Sequence, residues 1–339
     1  MDGEAISAAP RLASILTSTL CNRRESATHS MLMHNPGRLF LYLTLAASLS
    51  SLQAGTEPPI VTSSASASTE EKVPIDIFQA ETSYVFESDL NHGGSFGTQD
   101  ELQNRFEYGH RFSITGQWYL HLGLAYNRFD FGNTTAPVPV HLQSGAAVIG
   151  VEYMKGADTG AFLQFRPGFY TEEHLGLASF DCPIVVGRFW VLQPDKLYLL
   201  TGAYASFLRG GFPVLPLVGV VWKPNDTFRL MGVLPNPRAI FSINRDFEVY
   251  VGGELAGGSF RTDHHDEYVG PHIAKLSGTQ VDYADYRAGG GFTYNLNRSI
   301  SLDGNGGVAI QRSFNYHRAG EYYRTDPAPY LQVALKASF

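Results

Sequence analysis

Charge is scarce in this chain. Of its 339 residues only 17% are Asp, Glu, Lys or Arg, against roughly 25% in ordinary soluble domains. The charge present sums to -7, so the basic stripe that a nucleic-acid partner needs is missing, and none is expected. Long apolar runs are also missing: beyond the N-terminal region no stretch of about 18 apolar residues occurs, which excludes a transmembrane helix in the body. It does not exclude a transmembrane barrel, whose strands alternate lipid-facing and lumen-facing residues. Cysteine is nearly absent, with Cys21 and Cys182 only. Cys21 lies upstream of the expected processing site, so no intramolecular disulfide is expected in the mature chain. What is plentiful is aromatic side chains, 13% of the chain, and glycine, 35 residues. That mixture disfavours helices and suits strands.

Export is written near the start. Arg38 precedes the apolar run Leu39-Phe40-Leu41-Tyr42-Leu43-Thr44-Leu45-Ala46-Ala47-Ser48-Leu49, and Ala54-Gly55 supplies small residues for a cut. This is a signal peptide, read as residues 31–54, with Met31 or Met33 as its natural start. Residues 1–30 are then an upstream extension or a misassigned start. Residues 55–74, rich in Ser, Thr, Ala, Glu and Pro, cannot bury enough apolar area to fold and are read as a disordered periplasmic linker.

From Ile75 to Phe339 strand signals follow almost back to back. In 118–126, Trp118, Leu120, Leu122, Leu124 and Tyr126 share one face. The spacing predicts strands at about 75–89, 105–115, 118–131, 145–155, 160–171, 184–193, 196–208, 214–223, 227–234, 238–244, 247–262, 280–295, 299–314 and 329–339. Odd-numbered connections are mostly long (90–104, 132–144, 172–183, 263–279, 315–328). Even-numbered ones are tight, such as Gly116-Gln117, Pro194-Asp195 and Arg245-Asp246. Sorting of loop length by parity is expected of an outer-membrane barrel with long loops outside. The reading is an all-β, closed antiparallel transmembrane β-barrel of about 14 strands. Twelve follow if the brief pair 227–234 and 238–244 is miscounted.

The final strand, Leu331 to Phe339, alternates strictly and the chain stops on the aromatic. It resembles the C-terminal signal strand of bacterial outer-membrane barrels, which implies recognition of Phe339, Leu335 and Val333 by the barrel-assembly machinery. Phe339 is expected at the periplasmic rim, closing the barrel against the strand that begins near Ile75. A second resemblance covers Trp222-Lys223-Pro224-Asn225-Asp226, Leu234-Pro235-Asn236-Pro237-Arg238, Gly252-Gly253-Glu254 and Gly257-Gly258-Ser259-Phe260. This stretch resembles an uncharacterised family of bacterial outer-membrane β-barrels, a domain of unknown function. The resemblance implies a barrel and an outer-membrane address, and no activity.

Few residues invite chemistry. Asp263-His264-His265-Asp266-Glu267 is the densest ligand-type cluster, with His264 and His265 as candidate metal ligands. Neighbouring side chains point apart, so a second element would have to complete a site. No cofactor is expected. Glu152, Arg166, Arg188, Arg229, Glu248, Glu254, Asp285, Arg287, Asp303 and Lys336 are expected to face the lumen. There they line a pore or plug it as paired charges. The function expected is a pore or binding barrel for small polar solutes, with outer-membrane lipid around it. A structural or adhesion barrel acting through loops 90–104, 132–144, 263–279 and 315–328 is the alternative. A barrel-rim lipid hydrolase is third, because His121, His141, His174, His272 and His317 sit in no local Ser or Asp motif.

Overall fold

The computed structural model describes residues 75–154, 160–264 and 274–339. The extension, signal segment and linker read at 1–74 lie outside the described residues. Fourteen antiparallel spans close on themselves. They are β1 (Asp76–Asn91), β2 (Ser95–Thr115), β3 (Trp118–Phe131), β4 (His141–Met154), β5 (Gly160–Phe165 and Gly168–Thr171) and β6 (Phe180–Asp181 and Ile184–Gln193). Then come β7 (Leu197–Ala205), β8 (Val214–Trp222), β9 (Phe228–Gly232), β10 (Arg238–Ser242), β11 (Phe247–Arg261) and β12 (Gln280–Asn295). Last are β13 (Ile300–Tyr316) and β14 (Glu321–Thr325 and Ala328–Ser338). Each span pairs with the next, and β14 returns to β1 from Ile77↔Ser338 to Val85↔Tyr330. At the seam the Ile75 and Phe339 main chains bond, Ile75 N to Phe339 O at 2.6 Å and Phe339 N to Asp76 O at 2.9 Å.

The outer wall is apolar by strand parity. On β8, Val214, Val218, Val220 and Trp222 are exposed while Leu215, Leu217 and Val221 are buried inside. Leu124, Tyr126, Ile149, Val251, Val308 and Val333 continue the same outer surface. A belt of this extent far exceeds what a water-soluble monomer exposes, and closure pairs the backbone of most strands on both sides, as lipid demands. No helix among the described residues is long and apolar enough to cross a membrane.

Three strands break at proline. Pro167 and Pro183 interrupt β5 and β6 at the same height, because neither has an N–H for the ladder. The joint is held by Arg166 N to Pro183 O at 2.9 Å and Ala147 N to Pro167 O at 3.0 Å. Pro327 interrupts β14 next to Asp326, whose N–H bonds Asp89 O at 2.9 Å.

Two expected outer loops are ladder instead. β1 and β2 meet in a turn at 92–94, and β13 and β14 in a turn at 317–320. Segment 95–104 is polar, yet it is strand: Gln99, Glu101 and Gln103 point inward and are buried. The alternative reading through loops 90–104 and 315–328 thereby loses most of those two surfaces.

The brief pair is present as two spans of five residues each, β9 and β10. That is too short to cross, since a tilted span needs about 9–11 residues. β8 therefore pairs with β9 only at Val220–Trp222, and β11 with β10 only at Glu248–Gly252. Above the hairpin, Val214–Gly219 and most of Gly253–Arg261 have no strand partner on the facing side among the described residues. The wall is broken there. At its top, β11 meets β5 through a parallel bridge, Arg261↔Thr171, with Glu172 N to Arg261 O at 3.0 Å.

The β7–β8 connection bridges this region. Asp181 on β6 accepts from Ser206 Oγ at 2.6 Å, Phe207 N at 3.1 Å and Leu208 N at 3.3 Å. At the far side Gly210 N donates to Asp282 on β12 at 3.3 Å. Leu208 joins the buried cluster inside the barrel, while Phe207 and Phe212 stay exposed.

Candidate functional site: the barrel interior

The inner face is layered. Toward the loop-rich end, Phe129 and Phe131 of β3, Phe260 of β11, Tyr283 of β12 and Phe314 of β13 converge. Tyr283 lies with its ring centroid 5.0 Å from each of Phe129, Phe131 and Phe314. Phe260 meets Phe129 at 6.2 Å. The contacts of Phe129 with Phe260 and of Tyr283 with Phe129 and Phe131 are edge-to-face, each worth about 0.5–1.5 kcal/mol beyond area burial. Beside this cluster lies a small cavity with room for about one water molecule. Asn127, Ser144, Tyr170, Tyr204, Ser206 and Gly257–Phe260 are among its lining residues.

Next to the aromatics sits a charged layer shut off from solvent. Arg287 Nε donates to Asp285 Oδ2 at 2.6 Å, and its Nη2 lies 3.3 Å from Glu101 Oε1. Arg287 also donates to Ser83 Oγ at 3.0 Å and Gln103 Oε1 at 3.2 Å. Arg312 Nη1 approaches Glu101 Oε2 at 3.7 Å, and Arg312 donates to Ser88 Oγ at 3.0 Å and to the Gln99 carbonyl. The Tyr283 hydroxyl donates to Glu101. Two carboxylates thus face two guanidiniums at full burial, the arrangement that buried charge requires.

Other inner charges pair across the lumen face, most of them over one or two intervening strands. Glu152 takes Arg111 Nε at 2.6 Å and His121 Nδ1 at 3.0 Å. Arg166 holds Glu107 at 2.9 Å, and Arg229 holds Glu248 at 3.2 Å. Asp303 accepts from Tyr250 OH at 2.6 Å and meets Arg238 Nη1 at 3.4 Å. Glu254 is buried on the same face.

Of the charges expected inside, Arg188 is misplaced. It is exposed on the outer face, with its guanidinium 4.0 Å from the Trp190 ring centroid. Its alternation partners Val185 and Gly187 are the ones turned inward. The groups that sequence reasoning missed are Glu101, Arg312, Arg111 and the aromatic cluster. Glu101 lay in a segment read as loop. Arg312 follows a bulge at Ile310, where Tyr286↔Gln311 gives way to Arg287↔Ala309. The bulge resets the parity of β13.

The expected metal candidates divide. His264 is exposed, and His265 lies outside the described residues. Histidines elsewhere pair with carboxylates: His174 Nδ1 with Asp263 Oδ2 at 2.7 Å and His317 Nε2 with Asp282 Oδ2 at 3.4 Å. The Asp263 hydrogen bond raises the His174 pKa above the usual imidazole value.

No family model matches the chain, so the resemblance to an uncharacterised family has no such support. No curated protein matches either. Solved barrels do. An outer-membrane channel from Pseudomonas putida F1 aligns over 81% of this chain and 100% of its own, at 10% identity and TM-score 0.43. The Pseudomonas putida toluene transporter TodX aligns over 78% and 90%, at 11% identity and TM-score 0.33. The translocator domain of the autotransporter NalP from Neisseria meningitidis aligns over 80% and 90%, at 10% identity and TM-score 0.37. At this similarity they carry no argument about what the barrel does. The architecture rests on its own closed ladder: this is a β-barrel of the outer-membrane type.

Proposed function

We propose that the protein is an outer-membrane channel barrel for small apolar solutes, closed to ions at rest. The observation that carries this reading is the chemistry of the inner face. Its charged groups are largely spent on one another, whereas Phe129, Phe131, Phe260, Tyr283 and Phe314 form a buried aromatic cluster, with Phe260 at the edge of a small cavity. The expectation of a polar solute gives way for that reason. A polar solute would have to displace charge pairs worth several kcal/mol, while an aromatic solute meets surface like itself. The ladder between β8 and β11 is thinnest above the short β9–β10 hairpin, and an apolar solute partitioned in the surrounding lipid would enter there.

Toluene is a suitable probe. Purified barrel in detergent is expected to bind it saturably, with perturbation of the aromatic circular dichroism, and Phe260→Ala, at the cavity edge, is expected to weaken binding. Absence of saturable binding by the folded wild-type protein would sink the proposal and leave a structural barrel.

A further inference from the structure

We propose that Glu173, His174 and Asp263 form a divalent transition-metal site that ties the end of β5 to the end of β11. The ligand-dense stretch starting at Asp263 lacked a second element, and the fold supplies one. The parallel bridge Arg261↔Thr171 and the bond from Glu172 N to Arg261 O bring the two chain ends side by side. One ligand atom from each of Glu173, His174 and Asp263 then lies within 4.8 Å of the others.

The donor set is one imidazole and two carboxylates on adjacent elements, which suits zinc and its first-row neighbours. Asp263 is prearranged. Its N–H donates to Glu172 Oε2 at 2.9 Å, and its carboxylate accepts from His174 N at 3.2 Å. Only its side chain is largely covered, at 13% exposure, while that of His174 is 80% exposed. The exposed imidazole is therefore free to adjust. Metal–ligand bonds of about 2.0–2.2 Å set neighbouring donors roughly 3.3 Å apart around a tetrahedral ion. His174 Nδ1 and Asp263 Oδ2 stand at 2.7 Å. Opening that contact by about half an ångström admits the ion, and an exposed side chain makes that movement without disturbing the strand joint. Water completes the coordination. The chain gains a clamp where its β5 and β11 ends are joined by one ladder bridge and a few hydrogen bonds.

The test is titration of untagged, detergent-purified protein with zinc chloride by calorimetry, repeated with cobalt(II) followed by its visible absorption. Wild type is expected to show one saturable site. H174A and D263N are each expected to weaken it at least about tenfold, and H264A to leave it unchanged. E173Q removes a ligand that takes no part in the strand joint, so it carries the test should either other variant fail to fold. Its expected effect is also a weakening of at least about tenfold. No saturable zinc binding by wild type overturns the proposal, as does wild-type affinity in H174A or E173Q. Loss in H264A alone would move the site elsewhere and overturn it equally. Toluene binding is read separately, so neither result stands in for the other.

Discussion

Arg287 offers the sharpest perturbation of the sealed interior. Its guanidinium is fully buried and serves Asp285, Glu101, Ser83 and Gln103 at once. Arg287→Met keeps most of the side-chain volume and removes the charge. Arg312 alone would then face both Glu101 and Asp285. Unit charges about 4 Å apart attract by about 4 kcal/mol at an effective dielectric constant near 20. Losing two such attractions, offset by relief of the arginine's own desolvation, leaves a net cost of about 3–5 kcal/mol, the usual cost of breaking a buried pair. Urea unfolding in phosphatidylcholine vesicles, read by tryptophan fluorescence, measures it. Removing the nearest partner as well, in Asp285→Asn/Arg287→Met, is expected to recover a substantial part of the loss. A single-variant cost below about 1 kcal/mol would refute the claim that paired charge holds the interior.

Further outcomes follow from the wall and its joints. Leu124→Arg places charge on the outer face near mid-span and is expected to destabilise the barrel in vesicles by about 2–4 kcal/mol; no change in the unfolding midpoint would argue against lipid contact there. Asp181→Ala removes the acceptor for Ser206, Phe207 and Leu208, and limited proteolysis is expected to cut within 206–213 faster than in wild type. Gly109→Ala would set a Cβ about 2.0 Å from His121 Nε2, displacing the imidazole from Glu152. A loss of about 1–3 kcal/mol is expected, and adding His121→Ala should remove the steric part of it.

Much of the barrel was legible because its parity is strict. β8 and the later part of β14 alternate without interruption, and β14 meets β1 at the seam that includes Ile77↔Ser338. What misled was polarity. Residues 95–104 looked like a loop because they carry Gln, Asp, Glu and Asn, but a barrel interior accepts polar strands. The β9–β10 pair showed its brevity in sequence, yet its consequence, a broken wall beside β8 and β11, appears only when neighbours are assembled. That inward charges could pair was legible, but which ones pair was not. Glu101 meets Arg287 across 186 positions of chain, and a bulge at Ile310 turns Arg312 inward against the local pattern. Arg188 failed for the opposite reason: a charge on a lipid-type face defies the rule that assigned it inside, and Trp190 stacking accommodates it.

The central claim is a barrel whose interior is sealed to ions by aromatic packing and paired charge. Conductance across a planar lipid bilayer holding the purified, folded protein tests it most directly. The account predicts no sustained ion conductance from the wild-type protein and the appearance of open events in Asp285→Asn/Arg287→Met. Steady open-channel current from the wild type, of the size an aqueous pore carries, would contradict it.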